Sequence, residues 1–323
     1  MNNRDYFKNY HPLRRVTAIS IFGLGLIFSF VILLAKENNV LILNSDMAIS
    51  KYSSVQHEFK TKSQVPVIEF DLGNRLKNEN SIKELIINHN PDVIYCIGSK
   101  AYMLTLKLLK ENHTLQEKKL IFSSAINWQR FTISNNTYGV SNELLPEMEL
   151  TMFRYFFPKI NKIGILFNNT YNQEWIMGTK ATAKELGVEI VSQHINSPDN
   201  IENALKNLLP NVDAFWLIAD PVVISSQESV VTIFNRCSVY KKPVFSYNDV
   251  YIKYGAMLII SVDIPTIGRQ AASLAMDILA NRDIKDQIQS PAGSTIALNL
   301  QKVKEYNLYL NKEALDSVNR IIK

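Results

Sequence analysis

Pro91-Asp92-Val93-Ile94-Tyr95-Cys96-Ile97-Gly98-Ser99 is the stretch on which the fold turns. Proline disfavours helical backbone in the residue before it, so Asn90-Pro91 ends whatever helix precedes. Val93 to Ile97 is apolar at every position and too short for a stable helix, which reads as a strand buried on both faces. Gly98-Ser99 then opens onto Met103, Leu104, Leu106, Leu108 and Leu109, a helical segment. A doubly buried strand running straight into a helix is the repeating unit of a parallel sheet.

The same unit recurs on both sides. Upstream, strands are expected at Val40 to Leu43 and Val65 to Phe70, with helices at Tyr52 to Lys60 and Ser81 to Asn88. Downstream, Leu120 to Phe122 is a strand, and a four-strand unit closes near Val140. A second series follows: helix Met148 to Phe157, strand Ile163 to Phe167, helix Glu174 to Leu186, strand Val188 to Val191, helix Ile201 to Leu209, strand Ala214 to Ile218, helix Ser226 to Tyr240 and strand Pro243 to Phe245. The tail adds strand Ala256 to Val262, helix Ile267 to Leu279 and an edge strand at Ile296 to Leu300. Two comparable series predict an α/β protein of two doubly wound lobes. The tail suits a chain that returns to the first lobe and re-enters the second. The expected division is 38–141 plus about 264–288 for lobe 1, and 142–263 plus about 289–323 for lobe 2.

The N-terminus has a different character. Val16 to Ala35 is a run of 20 residues without a charge. At about 1.5 Å per residue a helix of that length crosses a bilayer's hydrocarbon core. Arg4, Lys8, Arg14 and Arg15 precede it, and basic flanks stay in the cytoplasm. Residues 1–15 are therefore expected to be cytoplasmic, 16–35 to be a transmembrane anchor or a signal, and the rest to lie outside. The run is long for a signal peptide and Leu33 with Ala35 is a poor cleavage site, which favours the uncleaved anchor; a periplasmic or secreted product of cleavage is the alternative. Of the formal net charge of +5, those four basic residues against Asp5 supply +3. What remains gives no nucleic-acid surface.

Cys96 and Cys237 read as buried small hydrophobes, although an oxidising compartment would permit a disulfide. The five histidines show no metal-ligand spacing. No G-x-S-x-G elbow, phosphate-binding G-x-x-x-x-G-K-[ST] loop or H-E-x-x-H pair occurs, and acidic residues alone do not establish a glycosidase pair. Neither catalytic residues, nor a cofactor, nor a metal is expected.

The distal half resembles the bacterial family of ABC-transporter substrate-binding proteins that includes tryptophan- and tyrosine-binding members. The resemblance rests on Lys162-Ile163-Gly164-Ile165-Leu166-Phe167-Asn168-Asn169, Ala183-Lys184-Glu185-Leu186-Gly187-Val188 and Lys242-Pro243-Val244-Phe245-Ser246-Tyr247-Asn248. It continues through Tyr254-Gly255-Ala256, Ser261-Val262-Asp263, Ile267-Gly268-Arg269-Gln270-Ala271-Ala272, Ala297-Leu298-Asn299-Leu300 and Tyr306-Asn307-Leu308. Pro91-Asp92-Val93-Ile94 and Ile97-Gly98-Ser99 extend it into the first half. It implies the periplasmic type I binding-protein architecture, with a small solute held between two closing lobes and an ABC permease as partner. A membrane sensor is the alternative partner, and the alternative functions are a membrane-tethered ligand sensor or a protein-interaction module. Two departures stand out: Ser123-Ser124-Ala125-Ile126-Asn127-Trp128 replaces the family's Asp-Pro pair after the fourth strand, and no cysteine for lipid attachment follows the apolar run.

Ligands of open α/β sheets sit beyond the C-terminal strand ends. That rule selects Asn44, Ser45, Gly98, Ser99, Ser123, Ser124, Asn168, Asn169, Asp220, Asn248 and Asp263, and the resemblance narrows them to Gly98, Ser99, Ser123, Asn168, Asn248 and Asp263. Hydroxyls, amides and a carboxylate suit a polar or zwitterionic solute such as an amino acid, with Asp263 pairing a ligand ammonium. Trp128 and Trp175 follow strand ends and are candidate ring walls, whereas Trp216 lies within an apolar strand and reads as core. Each position has a plainer alternative: a turn at Ser123, Asn168 or Asn248, a helix cap at Gly98-Ser99 or Asp263, packing under a loop for Trp128 and Trp175.

Overall fold

The computed structural model describes residues 38–73, 79–131 and 133–323. The expected basic segment 1–15 and apolar run 16–35 lie outside the described residues. Among those described, no helix is long and apolar enough to cross a membrane.

The strands behave as their composition dictates. In β1 (Val40–Asn44), Val40 and Ile42 join one apolar cluster while Leu41 and Leu43 join another. In β3 (Val93–Ile97), Val93, Tyr95 and Ile97 face the first cluster and Ile94 and Cys96 the second. Alternate side chains point to opposite faces of a strand, so a run with no polar position must be covered on both sides. One face is covered by α1 (Ser50–Lys62) through Val55 and Phe59. The other is covered by α2 (Glu79–His89) through Ile82 and Ile86, and by α3 (Ser99–Glu111) through Tyr102 and Leu108. With β2 (Val67–Asp71), β4 (Lys119–Ser123), β5 (Thr137–Val140) and β11 (Ile288–Gln289), they form a parallel sheet ordered β11-β5-β4-β3-β1-β2.

The second sheet repeats the plan. Its order is β13-β12-β10-β9-β8-β6-β7, from β6 (Lys162–Phe167), β7 (Glu189–His194), β8 (Ala214–Leu217), β9 (Val244–Ser246), β10 (Leu258–Val262), β12 (Ser294–Asn299) and β13 (Arg320–Ile322). Helices α4 (Pro146–Phe156), α5 (Asn169–Glu185), α6 (Ile201–Leu208) and α7 (Gln227–Val239) accompany it. Each sheet adds its second strand on one side of its first and its third on the other, and such switch points are where α/β sheets open a crevice. The chain passes between the sheets after β5, between β10 and α8 (Ile264–Leu279), and between β11 and β12.

Three features differ from the expectation. Ile296 to Leu300 is not an edge: β12 runs antiparallel to β10 and is covered on its other side by β13. Its Ile296, Ala297 and Leu298 are buried, and the three-residue β13 with exposed Arg320 takes the edge instead. The first sheet gains β5 and β11; the former, Thr137-Tyr138-Gly139-Val140, carries a glycine and no apolar run that reads as a strand. Both cysteines are free and buried, in different clusters, and form no disulfide.

α8 packs against α1 at backbone distance. A Cβ on Gly268 would lie 2.3 Å from the Val55 carbonyl oxygen, which no rotamer change relieves. Gly268→Ala is expected to destabilise the protein by about 1–3 kcal/mol, the usual range for overpacking. Equilibrium urea unfolding measures it; an unchanged midpoint would mean the two helices separate freely.

Candidate functional site

A cavity of about 430 Å³ opens between the two sheets. Its walls come from both: Ile49, Lys51 and Tyr52 at the start of α1 and Ser124, Ile126 and Asn127 after β4 on one side; Trp175 of α5, Trp216 of β8 and Tyr247 to Asp249 after β9 on the other. The crossings contribute Asn142 to Leu144 and Asp263 to Pro265. Lys51 Nζ donates to Asn248 Oδ1 at 3.4 Å, a bond that joins α1 to the loop of the second sheet.

The lining combines aromatic rings with aliphatic and polar side chains. Trp175 meets Trp216 edge to face, centroids 5.3 Å apart, and Trp216 meets Phe153 of α4 the same way at 5.1 Å. Tyr247 lies beside Tyr251, centroids 5.8 Å apart, and its burial first, then that neighbour, holds its phenol above the ordinary value. Acidic side chains prevail on the wall: Glu143, Glu149, Asp249 and Asp263 against Lys51. Burial above all, with Glu143 next, keeps the Glu149 carboxyl well above the usual carboxylate range.

Local backbone sets which side chains face in. Ser124 and Asn127 both hold positive φ, 55° and 51°, so the chain after β4 turns sharply. Asn127 N–H donates to Glu143 Oε1 at 2.9 Å, and Gln129 Nε2 donates to its Oε2 at 2.9 Å, tying that turn to the first crossing. Ser124 lines the cavity, and its Oγ is buried without a hydrogen-bond partner.

Of the residues singled out from sequence, Ser124, Asn248, Asp263 and Trp175 lie on the cavity wall. Asn248 also caps the 3-10 turn after it, accepting from Val250 N–H at 3.1 Å. The Asp263 carboxylate accepts from the Thr266 hydroxyl and lies 3.6 Å from Arg269 Nη2.

Gly98, Ser99, Ser123, Asn168 and Trp128 do not line the cavity. Gly98 sits at φ 87°, where a Cβ would come within 2.6 Å of Ser45 Oγ, and so fits the backbone under Ser45 and Tyr52. Ser99 Oγ accepts from Ile126 N–H at 3.1 Å, and Ser123 Oγ pairs with the Tyr95 hydroxyl at 2.6 Å. Asn168 accepts from Thr170 N–H at 3.0 Å and donates to the Ile195 carbonyl at 2.8 Å. Trp128 packs near Phe122 with its Nε1 donating to Ser141 Oγ at 3.2 Å.

Trp216 is core as expected, 1% exposed, and still presents an edge to the cavity. Glu149 was not anticipated, although the sequence carries a signal for it. In α4 the buried stripe reads Glu149, Leu150, Phe153 and Phe156, an acid at helical spacing among apolar positions. Among the described residues, no group of three or more His, Cys, Asp and Glu is placed to hold a metal ion.

Comparison with known proteins agrees with this architecture. The Tyrosine-binding protein of Clostridioides difficile (strain R20291) is 23% identical over 153 residues, 47% of this chain and 44% of that protein; the chain thus spans under half the length of that curated relative. A ligand-free, open substrate-binding protein with adhesive properties from Clostridium difficile superposes with a TM-score of 0.68 at 14% identity, covering 88% of this chain and 99% of that one. An ABC domain in complex with L-Trp from Streptococcus pneumonia gives 0.60 at 14% identity, covering 89% and 100%. At such identities these likenesses concern the fold, which is the two-lobed periplasmic binding-protein architecture. Residues 39–322 match the family model described as ABC transporter substrate binding protein, and the chain belongs to that family.

Proposed function

We propose that the protein binds a small polar solute, of the amino-acid class, in the cavity between its sheets and presents it outside the cytoplasm to an ABC permease. The cavity carries this reading: about 430 Å³ lies within the range of roughly 300–1,000 Å³ of small-molecule sites, and both sheets wall it. Trp175 and Tyr247 offer faces to an apolar side chain, while Asn142, Asn172, Asn248 and Asp263 offer polar partners. The curated relative's name, tyrosine-binding, fits an amino acid better than a sugar. Closure moves residues 38–141 with 264–288 against 142–263 with 289–323, and the solute favours the closed arrangement. The apolar run 16–35 tethers the binding unit to the membrane as an uncleaved anchor.

A thermal-shift screen against amino acids, short peptides, sugars and purines tests this. A solute at about 100 times its Kd stabilises the native state by about 2.7 kcal/mol, which reads as a rise in Tm. Silence across all four classes would remove the solute-binding reading.

A further inference from the structure

Glu149 is an acid where the surrounding chemistry calls for an apolar residue. It is 6% exposed, sits on the buried stripe of α4 with Leu150, Phe153 and Phe156, and lines the cavity. Its Oε1 is buried and has no hydrogen-bond partner. The other carboxylates of the wall are already engaged: Glu143 by Asn127 and Gln129, Asp263 by Thr266 and Arg269, and Asp249 by Arg320 at 3.7 Å. A buried, unpartnered acid is costly to fold and requires an explanation.

The sign of the surrounding charge says what completes it. Lys51 is the cation on the wall, and it is bonded to Asn248. With Glu143, Asp249 and Asp263 against Lys51, the wall favours a cation over an anion, and an ammonium brings both the donor that Glu149 Oε1 lacks and, once the Glu149 proton leaves, the charge that balances its carboxylate. We infer that Glu149 is the subsite for a protonated amine on the solute, with Glu143 as its neighbour. This rests on the cavity being the solute site, and it moves the ammonium partner from Asp263, whose carboxylate is already engaged, to Glu149.

The assignment has a proton balance. In the empty cleft burial keeps the Glu149 proton on to higher pH than a solvated carboxyl would hold it. Docking of the ammonium forms the ion pair and releases that proton to solvent. Affinity for an amine therefore rises with pH, by up to about tenfold per unit, until Glu149 is ionised in the empty cleft as well. The other titratable groups on the wall are Lys51 and Tyr52 of α1, Glu143 of the crossing, Tyr247 and Asp249 after β9, and Asp263 before α8.

The test is calorimetric titration of the intact protein with the standard amino acids and putrescine as amine probes, and with 3-phenylpropanoate, hexanoate, D-glucose and D-galactose as amine-free probes. An amine probe is expected to bind, with an enthalpy that changes with the ionisation enthalpy of the buffer because a proton leaves. Glu149→Gln is expected to weaken it at least about tenfold and to abolish the buffer dependence. Should that variant not fold, the pH slope and proton release of the unaltered protein decide alone. Binding of amine-free probes with amines excluded, or amine binding that releases no proton across the acid-to-neutral range and keeps its affinity in Glu149→Gln, overturns the Glu149 assignment and leaves the solute site standing. Binding of no probe removes both.

Discussion

Replacing Trp216 with Ala is expected to lower the unfolding free energy by about 3–5 kcal/mol, the range measured when a large aromatic side chain is cut from a packed core. Trp216 is 1% exposed and joins two layers, meeting Phe153 of α4 on one side and Trp175 of α5 on the other. Phe153 in turn stacks near Phe245 of β9, centroids 4.6 Å apart, so the void would open beneath neighbouring strands of the second sheet. The same truncation widens the cavity between the sheets, because Trp216 is part of its wall. Urea unfolding should therefore show the loss in stability, and solute affinity should fall with it. A loss below about 1 kcal/mol would show that Trp175 and Phe153 collapse into the gap and that Trp216 is not the joint described here.

The strands of both sheets were legible because their apolar runs leave no polar face to solvent, as Val40 to Leu43 and Val93 to Ile97 show. β5, β11 and β13 were not: Gly139 interrupts the first, and the two or three residues of the others carry no period and are strands only through their neighbours. The site was half legible for a related reason. The strand-end rule finds the rim of a sheet, but backbone geometry one residue later decides which side chain enters the cavity. After β4 the positive φ of Ser124 turns that residue inward, while Ser123 is consumed by Tyr95. Asn168 follows the rule and is spent on local bonds. Glu149 lies within a helix, where a rule about strand ends does not look.

Asp220→Ala is expected to cost about 3–5 kcal/mol, because the carboxylate is fully buried and organises four donors. Its Oδ2 accepts from Asn168 N–H and from Asn172 Nδ2, each at 2.7 Å, and its Oδ1 accepts from Val222 N–H at 2.9 Å and Val223 N–H at 3.1 Å. Removing it strands the start of α5 and the turn after β8 together, and entry of water would return only part of the loss. Asp220→Asn separates charge from geometry. Whichever way the amide is turned, its NH2 faces two donors, so this near-isosteric change is expected to be almost as damaging as alanine. A fully stable Asp220→Asn protein would refute the four-donor arrangement. The consequence reaches the cavity: Asn172 lines it and is held by Asp220, so weaker solute binding is expected in any Asp220 variant that still folds. The acid that fastens the second sheet thus also fixes part of the cavity wall, which couples the stability of that sheet to the shape of the proposed solute site.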